Sequence, residues 1–137
     1  MGETGDSPSR FRLKRVYEPS APEDGLRVLV DRLWPRGLSK AKAHVDHWLK
    51  EVAPSDALRH ELHADPRPSE ALWREFCDAY ARELEAEPAR SAVRELTDMA
   101  AKGPVTLLYA AKDEAHNNAL ALKLHLAAGP KTHPPIN

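Results

Sequence analysis

A chain of 137 residues, 42% hydrophobic and 30% charged, fits one soluble globular domain with a core of its own. No apolar run nears the ~20 residues that cross a bilayer, and a single cysteine excludes an intrachain disulfide, in agreement with a cytoplasmic location. The net charge of -1 conceals an asymmetry: residues 10–42 hold nine basic and four acidic side chains, whereas residues 43–102 hold eight basic and thirteen acidic.

The opening residues Met1-Gly2-Glu3-Thr4-Gly5-Asp6 show neither a basic region nor an apolar one, so no secretory leader is expected. Residues 1–9 and 128–137 lack an apolar period and read as flexible tails around a domain at 10–127. Segment 11–17 partly alternates and suggests a short strand at a sheet edge. Pro19, Pro22 and Gly25 mark a loop. The apolar run Val28-Leu29-Val30 predicts a buried strand over 27–33. Ser39 suits the cap of a first helix, with Ala41, Val45, Trp48, Leu49 and Val52 on one face and Pro54 as its stop. A short helix follows from about Ser55 to His63, with Leu58 and Leu62 inward. A third starts near Ser69 and spaces Leu72, Phe76, Tyr80 and Leu84 by four. The fourth opens near Pro88, shows Val93, Leu96 and Ala100, and ends at Gly103-Pro104. Residues 105–111 are apolar apart from one threonine, as in a strand covered on both faces of a parallel sheet. A last helix is expected over 114–127. The order predicts a small α/β domain with a largely parallel sheet of three or four strands flanked by helices.

Two strand-to-helix corners carry the candidate chemistry. Asp31-Arg32-Leu33-Trp34-Pro35-Arg36-Gly37 follows one apolar strand. Open α/β sheets bind ligands at such corners. Arg32 and Arg36 offer donor forks that match carboxylate or phosphate. Trp34 offers a flat wall, Pro35 stiffens the turn and Gly37 permits a tight one. A rigid structural corner, with Asp31 paired to an arginine and Trp34 in the core, is the competing reading. Lys112-Asp113-Glu114-Ala115-His116-Asn117 follows the last strand. There Asp113 suits a helix N-cap, and Lys112 would stand beside free amides. If the two strands run parallel, both corners share one edge of the sheet. Arg32, Trp34, Arg36, Lys112 and Asn117 would then surround one anionic ligand. Asp31 and Asp113 are the candidate general bases, with His116 a weaker one. Binding alone and turnover both fit these residues.

Other residue types point elsewhere. His44 with His47 and His60 with His63 share helical spacing, but solvated faces explain them as well as a metal does, so no metal and no cofactor is expected. Cys77 lacks a basic partner and reads as a half-buried structural thiol. Trp48 and Trp73 fall in helical stripes, so core packing is their default. The acidic residues Glu75, Asp78, Glu83, Glu85 and Glu87 would repel a phosphate backbone, although Arg10, Arg12, Lys14 and Arg15 could touch one.

Lys14-Arg15-Val16-Tyr17, the stretch Arg27 through Gly37, Ala53-Pro54-Ser55 with Leu58-Arg59, and Leu107 through Asp113 with Asn117 resemble the YeaO-like family of small bacterial proteins. The resemblance covers about residues 11–127. It implies a fold and signature residues in a domain of unknown function. Some members carry a label as MarR-type transcriptional regulators, so nucleic-acid association is the alternative to a small anionic or phosphate-bearing ligand. A broader set of relatives is similar to rhodanese and phosphatase loops and has cysteines after the last strand. Here that segment reads Tyr109-Ala110-Ala111-Lys112-Asp113, with no thiol.

Overall fold

The computed structural model describes residues 11–128. The expected tails at 1–9 and 128–137, apart from Ala128, and Arg10 lie outside the described residues. The elements are β1 (Phe11–Arg15), β2 (Leu26–Leu29), α1 (Lys40–Ala43), β3 (His47–Trp48), α2 (Asp56–His63), α3 (Glu70–Leu84), α4 (Ala89–Lys102), β4 (Val105–Tyr109) and α5 (Asn118–Ala127). The four strands lie in the order β1-β4-β2-β3, and every pairing is parallel. The small α/β domain with a parallel sheet is therefore the observed fold, with β1 at an edge as its alternation predicts.

Period two along the strands sorts side chains onto two unequal faces. Phe11, Val28, Val30, Val105, Leu107 and Tyr109 join the large core, packed by residues of α2, α3, α4 and α5. Val16, Leu29 and Leu108 form a smaller cluster under Trp34, Leu38, Val45 and Ala110. β4 is buried along its whole length, as an all-apolar central strand should be. Serine caps set helix starts as the sequence predicts: Ser39, Ser55 and Ser69 each accept a backbone N–H with the side-chain oxygen. Ser55 also donates its hydroxyl to Glu83 at 2.6 Å, which ties α2 to α3.

Three expectations are corrected. The first helix ends at Ala43 because His44 adopts a left-handed φ of 51°. Asp46 then pairs with β2 twice, through its N–H to the Arg27 carbonyl and its carboxylate to the Arg27 N–H. That pairing turns the predicted helical stripe into strand β3, followed by a 3-10 turn at Lys50–Val52. His44 and His47 thus share no helix face. The strand at 27–33 is shorter, covering Leu26–Leu29 with one further ladder bond from Val30 to Leu108. The last helix starts at Asn118, capped by Asn117, because Asp113 closes a local turn on the N–H groups of Ala115 and His116 instead.

At the opposite end of the sheet the polar face is neutralised by one carboxylate. Asp24 is 2% exposed and accepts from Arg27, 3% exposed, at 2.8 Å and from Lys14 at 3.0 Å. Arg27 gives three further N–H groups to the carbonyls of Glu18, Ala43 and His44. Gly25, at φ 65°, follows Asp24, and a Cβ there would lie 2.1 Å from the Pro104 carbonyl oxygen, so only glycine fits. Burial alone would raise the Asp24 carboxyl, but the hydrogen bonds from Lys14 and Arg27 hold it below its ordinary range. A lowered carboxyl favours the folded state at neutral pH, and that contribution is lost as the pH falls through the lowered value. Asp24→Asn should cost about 3–5 kcal/mol by leaving Arg27 unpaired. Denaturant titrations at pH 7 and in acid should show the gap to the parent closing as the pH falls below about 4.

Candidate functional site

Strand order places a crevice where β2 and β4 end side by side. After β2 the chain turns toward β3, and after β4 it turns toward α5, which packs on β4 and β1. Neighbouring strands whose connections diverge leave a ligand-sized gap beyond their C-terminal ends. A cavity of about 350 Å³ lies there. Its wall after β2 is Asp31, Arg32, Leu33, Trp34, Pro35 and Arg36. Ala110, Ala111 and Asn118 line it from the β4 side, Tyr17 from the end of β1, and Arg59 and His63 from α2.

Asp31 holds the floor together. One carboxylate oxygen accepts from the Ala110 N–H at 2.9 Å and the other from the Asn118 side-chain amide at 3.0 Å. Asn118 also donates to the Val30 carbonyl at 3.1 Å. Burial pushes the Asp31 carboxyl above its ordinary value, opposed by these hydrogen bonds and by the charges of Arg59 and His63.

The cations differ in how far the fold employs them. Arg32 donates from Nη2 to the Ala53 carbonyl at 3.0 Å and, more loosely, to that of Pro54 at 3.4 Å. Arg59 pairs with the exposed Asp56 at 2.8 Å. Each still has a buried Nε–H with no hydrogen-bond partner in the protein. An unmet buried donor of this kind costs about 1–3 kcal/mol. Arg36 is exposed, and its side chain makes no hydrogen bond or ion pair among the described residues. Its backbone carbonyl accepts from the Tyr17 hydroxyl at 3.1 Å, and Gly37 turns the chain at φ 69°.

Two tryptophans brace the wall. The Trp34 indole donates to the Leu38 carbonyl at 2.6 Å and meets the Trp48 ring edge-on at 5.5 Å. Trp48 donates to the Asp31 carbonyl at 2.7 Å, so its place is beside the site rather than in a helical stripe.

The structure thus brings Asp31, Arg32, Trp34 and Arg36 together. It does not bring Lys112, Asp113 or Asn117 into the cavity lining. Asn117 is buried and spends both ends of its side chain locally, accepting from Leu120 and donating to Asp113. Asp113 pairs with His116 at 3.0 Å. Burial would raise its carboxyl, but the bonds from His116 and Ala115 hold it low. Tyr109 lies in the core. Arg59, His63, Asn118 and Tyr17 were not assigned to the site from sequence. Arg59 and His63 are four apart on α2, the one signal of a shared face. Among the described residues no three His, Cys, Asp or Glu side chains converge as a metal site requires. Burial pushes the Cys77 thiol up to about 11, so it is a poor nucleophile at neutral pH.

A family model described as "Inactive DUF488-N3 subclade" matches residues 10–133. The uncharacterised protein YeaO of Escherichia coli (strain K12) is 42% identical over 112 residues, 82% of this chain and 92% of that one. The uncharacterised proteins Mb3100c of Mycobacterium bovis and Rv3073c of Mycobacterium tuberculosis are each 43% identical over 98 residues, 72% of this chain and 80% of theirs. No solved structure gives a significant match.

Because Arg32 braces the 53–54 backbone and Arg36 braces nothing, their truncation should separate. Arg32→Ala is expected to lower stability by about 2 kcal/mol, and Arg36→Ala by under about 0.5 kcal/mol. Chemical denaturation of both variants beside the parent measures the difference.

Proposed function

The chain belongs to the inactive DUF488-N3 subclade, with YeaO among its relatives, and on that premise we propose that it binds a small anionic, phosphate-bearing ligand without transforming it. The observation that carries this reading is the pair of buried, unpartnered Nε–H groups on Arg32 and Arg59, two residues that line the same cavity. Anionic oxygens are the natural acceptors for such donors. Arg36 adds a third guanidinium.

The lining argues for binding over turnover. It holds no Cys, Ser, Thr or Lys. The Tyr17 hydroxyl is engaged with the Arg36 carbonyl, and both Asp31 oxygens hold backbone or amide donors. The residues that follow the last strand into the cavity, Ala110 and Ala111, carry no thiol. Thiol chemistry therefore has no carrier at this edge. Nucleic-acid association draws less support, because Lys14, Arg15 and Arg27 are spent on internal carboxylate and carbonyl partners.

Titration with inorganic phosphate, followed by tryptophan fluorescence and read against a Trp34→Phe control, tests the proposal. Saturable binding should weaken roughly ten- to a hundred-fold in Arg36→Ala, the loss of one charge-assisted contact. Unaltered binding in that variant, or no saturation with phosphate, sulfate or a phosphate monoester, would refute it.

A further inference from the structure

We infer that the cavity takes a phosphate monoester with an apolar body, its phosphate among the arginines and its body against Leu33 and Tyr17. This rests on the anion reading above and adds the class of ligand.

The apolar surface of the domain is unevenly spread. Among the described residues four large apolar side chains are exposed: Tyr17 at 43%, Leu33 at 66%, Trp48 at 36% and Leu124 at 49%. Three of the four gather at this cavity. Tyr17 and Leu33 line it, and Trp48 is fastened to its wall through the Asp31 carbonyl and the edge of Trp34. Single exposed leucines are ordinary, but aromatic and aliphatic surface collected around one concave, cationic site marks a recognition surface.

The cationic and apolar parts are also joined mechanically. The Tyr17 hydroxyl donates to the Arg36 carbonyl, and the Arg15 guanidinium stacks 5.1 Å from the centre of the Tyr17 ring. Arg15 is itself fixed by the carbonyls of Ala110 and Ala111. The ring is therefore held in the cavity lining, tied to the backbone of the residue whose guanidinium lacks an internal partner. Leu33 stands between Arg32 and Trp34 in the same wall.

Size and charge agree with this ligand class. A volume of about 350 Å³ falls within the ~300–1,000 Å³ of pockets that hold drug-sized molecules. A bare phosphate would leave Leu33 and Tyr17 in water. Among the lining side chains three guanidiniums, one of them also paired with Asp56 outside the lining, outnumber one carboxylate, and that positive excess suits the dianion of a phosphate monoester.

Calorimetric titration of the full chain with phenyl phosphate and with inorganic phosphate is the test, repeated on Leu33→Ser. Leu33 is mostly exposed, so this variant should fold as the parent does. Phenyl phosphate should bind the parent about tenfold more tightly than inorganic phosphate, from apolar area removed from water. Leu33→Ser should lose several-fold in phenyl phosphate affinity and keep its affinity for inorganic phosphate. Equal affinities in the parent would overturn the apolar body while leaving the anion reading in place. A phenyl phosphate preference that survives Leu33→Ser intact would overturn the seat assigned to that body. Binding of neither compound would overturn both.

Discussion

The carboxylate of Asp31 is the fastening on which the candidate site depends. The β2–β4 ladder makes its last backbone bond from Val30 to Leu108. Beyond that point Asp31 replaces the ladder with its side chain, taking the Ala110 N–H on one oxygen and Asn118 on the other. Asn118 lies in the first turn of α5, so one residue joins two strand ends and a helix. Divergent connections would otherwise leave these segments free to part. The fastening has an electrostatic cost, since burial disfavours the ionised carboxylate. Positive charge from Arg59 and His63 offsets part of it. More cations line the cavity than one carboxylate requires, and the proposed anion site rests on that surplus.

The basic excess in the first third of the chain has a structural origin in large part. Lys14 and Arg27 neutralise Asp24, Arg15 holds the backbone after β4, and Arg32 holds the backbone before α2. Parallel strands concentrate these demands, because every strand end at one edge needs its carbonyls and turns secured without a hairpin partner. Arginine meets several carbonyls at once from a single planar group. What lacks an internal hydrogen-bond partner is a smaller set: the Arg36 side chain, and the buried Nε donors of Arg32 and Arg59. Charge counted along the sequence therefore overstates the charge on offer.

Much of the fold was legible in the residues. Two apolar runs separated by helical segments require a crossover, and hence a parallel sheet. Ser55, Ser69 and Gly103-Pro104 punctuate helices by local chemistry that the tertiary structure leaves unchanged. The stretch from His44 to Trp48 was not legible, because β3 is only two residues long and pairs through the Asp46 side chain as much as through backbone. Its apolar residues keep helical spacing by coincidence, and Trp48 turns outward to Asp31. The start of α5 was expected too early, at Glu114 behind an Asp113 cap, for another reason. Asp113 and Asn117 are both good caps, and the choice falls to Asn117 because Asn118 must reach Val30 and Asp31. At the site, Arg32, Trp34 and Arg36 announced themselves by sharing one corner. Arg59 and His63 did not, since an arginine and a histidine on a short amphipathic helix look like any solvated pair until the fold sets α2 beside Asp31.

The most direct measurement is of the arginine Nε–H groups themselves. Nitrogen-15 side-chain spectra of the protein, titrated with phenyl phosphate, report each guanidinium separately once assigned by single substitutions. The Nε–H signals of Arg32 and Arg59 should move together and saturate at one ligand per chain, along the same curve as Arg36 and the Trp34 indole. Signals of Arg32 and Arg59 that stay fixed while exposed basic residues such as Arg12 and Lys42 drift without saturation would contradict an anion site at this edge of the sheet.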